Sequence, residues 1–214
     1  RSDLEKGFHH IPVNPDYWKY LGFKFDDKFY VWCVLPFGLC CSPYYFHKIL
    51  RPIVTFLRSQ DIKCSIYVDD CIMAAPSRCI IDNRDFVINT LEELGFSINY
   101  EKSCLIPSNK VVYIGYVIDS VGPHDQPWLY MAKDKIHKLK KDIRRCLRVG
   151  YICARLLAKI AGQAVSMSRA IIPGKLKLRS IYALLTTKSS WSDTLRLNIE
   201  CFNDLQWWLR HIDN

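Results

Sequence analysis

Tyr67-Val68-Asp69-Asp70 stands between two apolar stretches, Cys64-Ser65-Ile66 before it and Cys71-Ile72-Met73-Ala74-Ala75 after it. Two adjacent carboxylates in such a run are costly unless water or a cation meets them. One reading is a hairpin turn with a solvated Asp pair. The other is an oxygen-rich site for Mg²⁺ or Mn²⁺, where paired ions clamp the attacking and leaving oxygens of a phosphoryl transfer. The residues on either side decide between them.

A chain of 214 residues, half of them hydrophobic, can bury a substantial core in one large domain or two small ones. No apolar stretch approaches the roughly 20 residues of a membrane span, and there is no amino-terminal signal pattern, so the expectation is an intracellular protein, in cytoplasm or nucleus, with no membrane partner. The ten cysteines lie mostly in apolar segments (Cys33, Cys64, Cys71, Cys104, Cys146, Cys153) without metal-ligand spacing. They read as reduced, buried thiols. The formal charge is +9, and between Ala132 and Ser180 fourteen Lys or Arg face only Asp134 and Asp142. That basic block suits a polyanion such as nucleic acid, although a solvated helix face reads the same way.

Along the chain, Ile11-Pro12-Val13, Tyr20 to Phe25 and Phe29 to Val34 read as strands, the last two joined by a polar turn at Asp26-Asp27-Lys28. Ser42-Pro43 reads as the N-cap and first position of a helix to about Ser59, with Phe46, Ile49, Leu50, Ile53 and Leu57 as its apolar stripe and Pro52 as a kink or break. Asp82 to Leu94 reads as a second helix closed by Gly95. Phe96 to Asn99 and Val111 to Ile118 read as strands, and Gly122 to Pro127 as a linker. Helical patterns follow from Ile136 to Leu147 and near 151 to 170 and 194 to 211. The fold class is therefore α+β over residues 1–126, followed by a basic, all-helical region over 127–214. The start without Met reads as the interior of a longer protein.

Five segments in order, Asp3-Leu4-Glu5-Lys6-Gly7-Phe8, Leu35-Pro36-Phe37-Gly38-Leu39 with Ser42-Pro43, Tyr67-Val68-Asp69-Asp70, Leu94 to Asn99 leading to Lys102, and Tyr113-Ile114-Gly115-Tyr116-Val117, resemble the palm of reverse transcriptases. The resemblance covers about residues 1 to 120. The basic remainder matches a thumb and the start of a connection region by position and charge. The Leu-Pro-Phe-Gly-Leu segment is most similar to retroelement enzymes of the gypsy and DIRS groups. The resemblance implies an RNA-directed DNA polymerase fold, an antiparallel sheet with helices on one face, and the addition of deoxynucleotides to a primer 3′-hydroxyl. Its fingers would be largely missing from this segment.

It also implies roles. Asp3, Asp69 and Asp70 would hold two Mg²⁺ ions, or Mn²⁺ in their place, one ion activating the primer 3′-hydroxyl and both steadying charge on the phosphates. Asp3 would face Asp69 across the sheet, and Asp70, its neighbour on the strand, would touch metal less directly. Phe8 would be the aromatic gate beneath the sugar that leaves no room for a 2′-hydroxyl. Phe37 and Gly38 would approach the incoming nucleotide, and Lys102 would protonate departing pyrophosphate. Tyr67, Tyr113, Gly115 and Tyr116 would meet primer and template, and Lys133, Lys135, Lys140, Arg144 and Arg148 duplex phosphates. The partners implied are an RNA or DNA template with its primer, deoxynucleoside triphosphates, and a polyprotein carrying RNase H. Two other readings stay open: a decayed or domesticated palm and thumb that binds nucleic acid without catalysis, and an RNA-dependent RNA polymerase or other two-metal nucleotidyl transferase, which Phe8 and Val68 speak against.

Overall fold

The structure, a computed structural model, describes residues 1–213. They form two compact units, Arg1–Ile114 and a second from Gly115 onward. The sequence reading puts this division after residue 126. It falls earlier because the hairpin that follows Gly115 packs with the second unit's core through Tyr116 and Met131.

In the first unit, β1 (Ser2–Asp3) is followed by 3₁₀ turns at Gly7–His10 and Pro15–Tyr20, then by the hairpin β2 (Gly22–Phe25) and β3 (Lys28–Val31). The expected strand at Ile11–Val13 is reduced to one bridge between Pro12 and Val34. Tyr20 belongs to a 3₁₀ turn because Asn14 caps it, accepting from the Asp16 amide at 3.0 Å, with Pro15 fixing its first position. Helix α1 (Ser42–Ser59) runs unbroken through Pro52. The single helix hydrogen bond lost there leaves the Lys48 carbonyl on an exposed face, where water can replace the donor. Ser42 does not cap it: its hydroxyl donates to the Pro36 carbonyl at 2.9 Å, tying the start of the helix to the preceding loop. Ile49 lies 40% exposed, outside the buried stripe of Phe46, Leu50, Ile53 and Leu57.

Strands β4 (Lys63–Tyr67) and β5 (Asp70–Ala74) form the hairpin around the Asp pair, and α2 (Ile80–Glu93) ends at Leu94 with Gly95 at φ 86°. The sheet order is β1-β5-β4, all antiparallel. Alternation along β4 buries Cys64 and Ile66 and exposes Lys63, Ser65 and Tyr67. The buried face meets Phe46, Leu50 and Leu57 of α1 and Val87 and Leu91 of α2 in one core that also holds Leu4, Phe96 and Ile98. The expected strand at Phe96–Asn99 is a bridge from Ile98 to Leu4 flanked by two backbone bonds, since β1 is too short to support more. Strand β6 (Lys110–Tyr113) closes the unit.

The second unit opens with the hairpin β7 (Tyr116–Asp119) and β8 (Trp128–Met131). The expected linker at Gly122–Pro127 is the turn of that hairpin, held by Gly122 N–H to the Gln126 carbonyl at 3.0 Å. Then come α3 (Lys133–Val149), β9 (Tyr151–Cys153), α4 (Ala154–Met167), α5 (Arg179–Thr186), β10 (Thr194–Arg196), which pairs with β9, and α6 (Ile199–His211). Leu139 and Ile143, Leu157 and Ile160, Ile181 and Trp208 make its core, and the Trp208 indole N–H donates to the Lys177 carbonyl at 3.0 Å. Helix α5 and the short strands carry too few residues to show a period in sequence.

All ten cysteines are free. Cys64, Cys71, Cys146 and Cys201 are buried, and burial pushes the Cys71 thiol up to about 11 and Cys146 up to about 12, so both are inert near neutral pH. Cys33, Cys104 and Cys153 are exposed, against expectation, because they sit at edges and loops rather than on inward faces. Among the described residues no helix is long and apolar enough to cross a membrane.

Candidate active site

Tyr67 and Asp70 pair across the β4–β5 hairpin, so Val68 and Asp69 form a two-residue turn. Val68 has φ 55°, a conformation in which a β-branched residue is strained by on the order of 1–3 kcal/mol. The turn lifts Asp69 out of the strand and exposes it. The expectation that Asp3 faces Asp69 across the sheet is therefore corrected: the register partner of Asp3 is Asp70, while the Asp69 carbonyl accepts from the Leu4 amide at 2.9 Å.

Asp3 is 9% exposed and its backbone is fixed on both sides. Its amide donates to the Ser103 hydroxyl at 2.9 Å, that hydroxyl donates to the Asn99 carbonyl at 2.6 Å, and the Asn99 amide donates to the Asp3 carbonyl at 2.8 Å. Burial, then the charges of Asp69 and Asp70, push the Asp3 carboxyl above the usual range, while Arg1 and Lys102 pull it back. Arg1 is the residue that the sequence reading missed. Its Nε donates to Asp70 Oδ1 at 2.8 Å, and a terminal guanidinium nitrogen reaches Asp70 and lies 3.5 Å from Asp3 Oδ2. The signal was a cation two residues before an Asp.

Asp3 and Asp69 line one cavity of about 360 Å³ with Glu5, Lys6, Gly7, Phe8, Phe37, Val68, Asn99 and Lys102. Phe8 is held edge-on by buried Phe46, ring centroids 5.3 Å apart, and lies 5.4 Å from the exposed Phe37. Asp70 does not line the cavity; its partner is Arg1. Gly38, at φ 86°, sits beside Phe37 in a backbone conformation that favours glycine. Tyr67 is exposed beside the turn.

The residues expected to touch primer and duplex are placed more unevenly. Tyr113 is 7% exposed, so its ring belongs to the interior rather than to a primer-facing surface. In the second unit, Gly115 has φ 89° and the Lys135 side-chain tip occupies the place a Cβ there would take, so the lysine tip rests on glycine backbone. The Tyr116 hydroxyl donates to the Ser166 carbonyl. Lys133, Arg144 and Arg148 are exposed on α3, while Lys140 is half-buried and ion-paired with Asp213.

Among the described residues no group of three His, Cys, Asp or Glu side chains is gathered closely enough to hold an ion alone. Of the three carboxylates that line the cavity, Asp3, Glu5 and Asp69, the charges of Asp3 and Asp69 act on one another, and a hard divalent cation is commonly bound by one or two carboxylates with substrate phosphates completing its shell. The all-oxygen donor pair, and the charge crowding that raises Asp3, fit such an ion.

Replacing Arg1 by Gln removes a cation that holds Asp3 down. Because the folded pKa lies above the unfolded one, Asp3 stabilises the fold most at low pH and loses that contribution as pH rises from about 3.9 to its folded value. Arg1→Gln is expected to extend this decline to higher pH, read as an upward shift of the Asp3 carboxyl in a ¹³C NMR titration and as a Tm that falls over a wider pH range. An unmoved titration contradicts the Arg1 assignment.

A hairpin-borne carboxylate and a buried strand carboxylate sharing one cleft, on an antiparallel sheet backed by two helices, define a polymerase-like α+β fold. The family profile described as reverse transcriptase (RNA-dependent DNA polymerase) matches residues 1–118, and the chain belongs to that family. Protein P of Duck hepatitis B virus (strain China) is 23% identical over 193 residues, covering 89% of this chain and 24% of that protein. The enzymatic polyprotein of Figwort mosaic virus (strain DxS) is 28% identical over 166 residues, covering 74% and 24%. This chain thus spans about a quarter of the length of these relatives. The foamy viral protease-reverse transcriptase solved with an RNA/DNA hybrid shares the fold, with TM-score 0.74 and 20% identity over 100% of this chain and 27% of that one. The same foamy viral protein solved with dsDNA gives TM-score 0.71 at 20% identity, over 98% and 40%.

Proposed function

We propose that this chain is the palm and thumb of an RNA-directed DNA polymerase that extends a primer with deoxynucleotides. The observation that carries the reading is the single cavity joining Asp3, Asp69, Phe8, Phe37 and Lys102, residues far apart in sequence. The solved foamy viral relatives hold an RNA/DNA hybrid and dsDNA, and we extend that kind of substrate to this chain.

Asp3 and Asp69 would hold the divalent ions, Mg²⁺ or Mn²⁺, which when bound lower the pKa of the attacking hydroxyl and offset phosphate charge. Asp70 positions Arg1, which tempers the negative charge at Asp3. Phe8, locked by Phe46, sets the floor beneath the sugar, and Phe37 with Gly38 brings ring and backbone toward the nucleotide. Lys102, beside Asp3 in the cavity, is placed to give a proton to the leaving pyrophosphate. Lys133, Arg144 and Arg148 would meet duplex phosphates. We further place the chain in a retroelement polyprotein with RNase H, nearest the gypsy and DIRS groups on the Leu35-Pro36-Phe37-Gly38-Leu39 segment. The activity would be intracellular, where free thiols persist.

The test is Mg²⁺-dependent extension of a DNA primer on an RNA template by the chain extended on its amino-terminal side. Phe8→Ala is expected to raise ribonucleotide incorporation relative to deoxynucleotide by at least about tenfold, on the scale of a lost steric exclusion. An unchanged sugar ratio would remove Phe8 from the gate.

A further inference from the structure

Helix α1 contains no Asp or Glu, and its outward face repeats Tyr44, Lys48, Arg51, Thr55 and Arg58 at helical spacing. From Lys48 to Arg58 the row is about 15 Å long. Two hollows meet along it. One, about 360 Å³, lies between α1 and edge strand β4, with Tyr44, His47, Arg58 and Ser65 around an apolar floor of Val54 and Ile66. The other, about 590 Å³, continues past Pro52 to Phe56 and Ser59. Lys48 and Arg51 border both, and no carboxylate lines either. Among the described residues neither Lys48 nor Arg51 has a carboxylate partner. Arg58 is anchored, donating to the Cys64 carbonyl from Nε at 3.2 Å and from a terminal nitrogen at 3.0 Å.

Exposed rings bracket the cations. Tyr44 is 62% and Phe56 47% exposed; Phe56 is pre-ordered by stacking on Phe86 at 6.2 Å, and Lys48 lies 5.9 Å from the centre of the Tyr44 ring. His47 meets Tyr67 edge-on at 6.3 Å, so the row ends beside the Val68-Asp69 turn. Cations in a row attract a chain of phosphates, and a duplex or a single strand would supply them equally. Rings and an apolar floor between the cations select the single strand, because only unpaired bases offer their flat faces for stacking.

We propose that this face of α1, with the edge of β4, is a binding track for unpaired nucleic acid outside the carboxylate cavity. Lys48 and Arg51 meet successive phosphates, and Tyr44 and Phe56 stack on bases. The track uses neither Asp3 nor Asp69, so it stands or falls separately from the polymerase reading.

The experiment measures binding of a fluorescein-labelled dT₁₂ and a 12-base-pair duplex by anisotropy across a salt series. Lys48→Gln/Arg51→Gln is expected to weaken dT₁₂ binding about tenfold and to reduce the slope of log K against log salt by about 1.4. Tyr44→Ala is expected to weaken dT₁₂ binding at least about fivefold with no change of slope, and to leave duplex affinity within about twofold of the parent. All three residues are exposed, so circular dichroism should match the parent. Unchanged dT₁₂ affinity and slope in the double variant overturn the proposal and leave the face to an acidic protein surface. Equal losses on dT₁₂ and duplex in Tyr44→Ala overturn its single-strand selectivity.

Discussion

Asn in place of Asp69 is expected to lower Mg²⁺-dependent primer extension by about a thousandfold in the amino-terminally extended chain, the scale of losing a principal charge stabiliser in a transition state. The substitution is nearly isosteric, and the part of Asp69 that supports the fold is its backbone carbonyl, bonded to the Leu4 amide at 2.9 Å. Its side chain is exposed at the tip of the turn. Stability and hybrid binding should therefore match the parent while extension disappears. That combination separates a polymerase from a domain that only binds nucleic acid, since the latter has no extension to lose. Asp3→Asn is expected to abolish extension equally but to raise Tm at neutral pH, because it removes a buried charge that two neighbouring carboxylates already oppose. Full extension by the Asp69→Asn protein would sink the two-carboxylate reading.

Phe46→Ala should destabilise the first unit by about 3–5 kcal/mol, the range for a fully buried aromatic truncated to Ala. Phe46 is 0% exposed and touches three parts of the site at once. It packs edge-on against Phe8, lies 6.3 Å from Phe96, and leaves only 2.7 Å between its Cζ and the place a Cβ on Gly7 would occupy. Urea unfolding followed by far-UV circular dichroism measures the loss. Gly7→Ala is destabilising in the parent, because Phe46 must move, and close to neutral in the Phe46→Ala background, where the space is open. A double-mutant cycle that shows no coupling between the two positions would contradict this packing.

What could be read from sequence was what depends on near neighbours. The apolar period of α1 and the Gly95 stop after α2 are set by a few adjacent residues, and both appear in the fold. The carboxylates and the Phe8 and Phe37 rings were identified by motif order. Their convergence in one cavity was implied by the resemblance, but the contacts that bring it about were not readable. It arises because β1 lies beside β5 and because Ser103 and Asn99, about a hundred residues away, close a ring of bonds around Asp3. Arg1 went unnoticed for the same reason: its partner Asp70 is adjacent only through strand pairing. Tyr113 failed as a primer-facing ring because alternation along β6 turns it inward, and short strands give too few positions to fix that phase.

The sequence by itself determined the family and the α+β class, because motif residues and hydrophobic periods are local properties of the chain. Tertiary structure alone decided what holds each carboxylate: the strained turn at Val68 lifts Asp69 toward the cleft, while strand register gives Asp70 to Arg1. A shift of one residue in that register would exchange the faces of neighbouring side chains, and only the packed sheet fixes it.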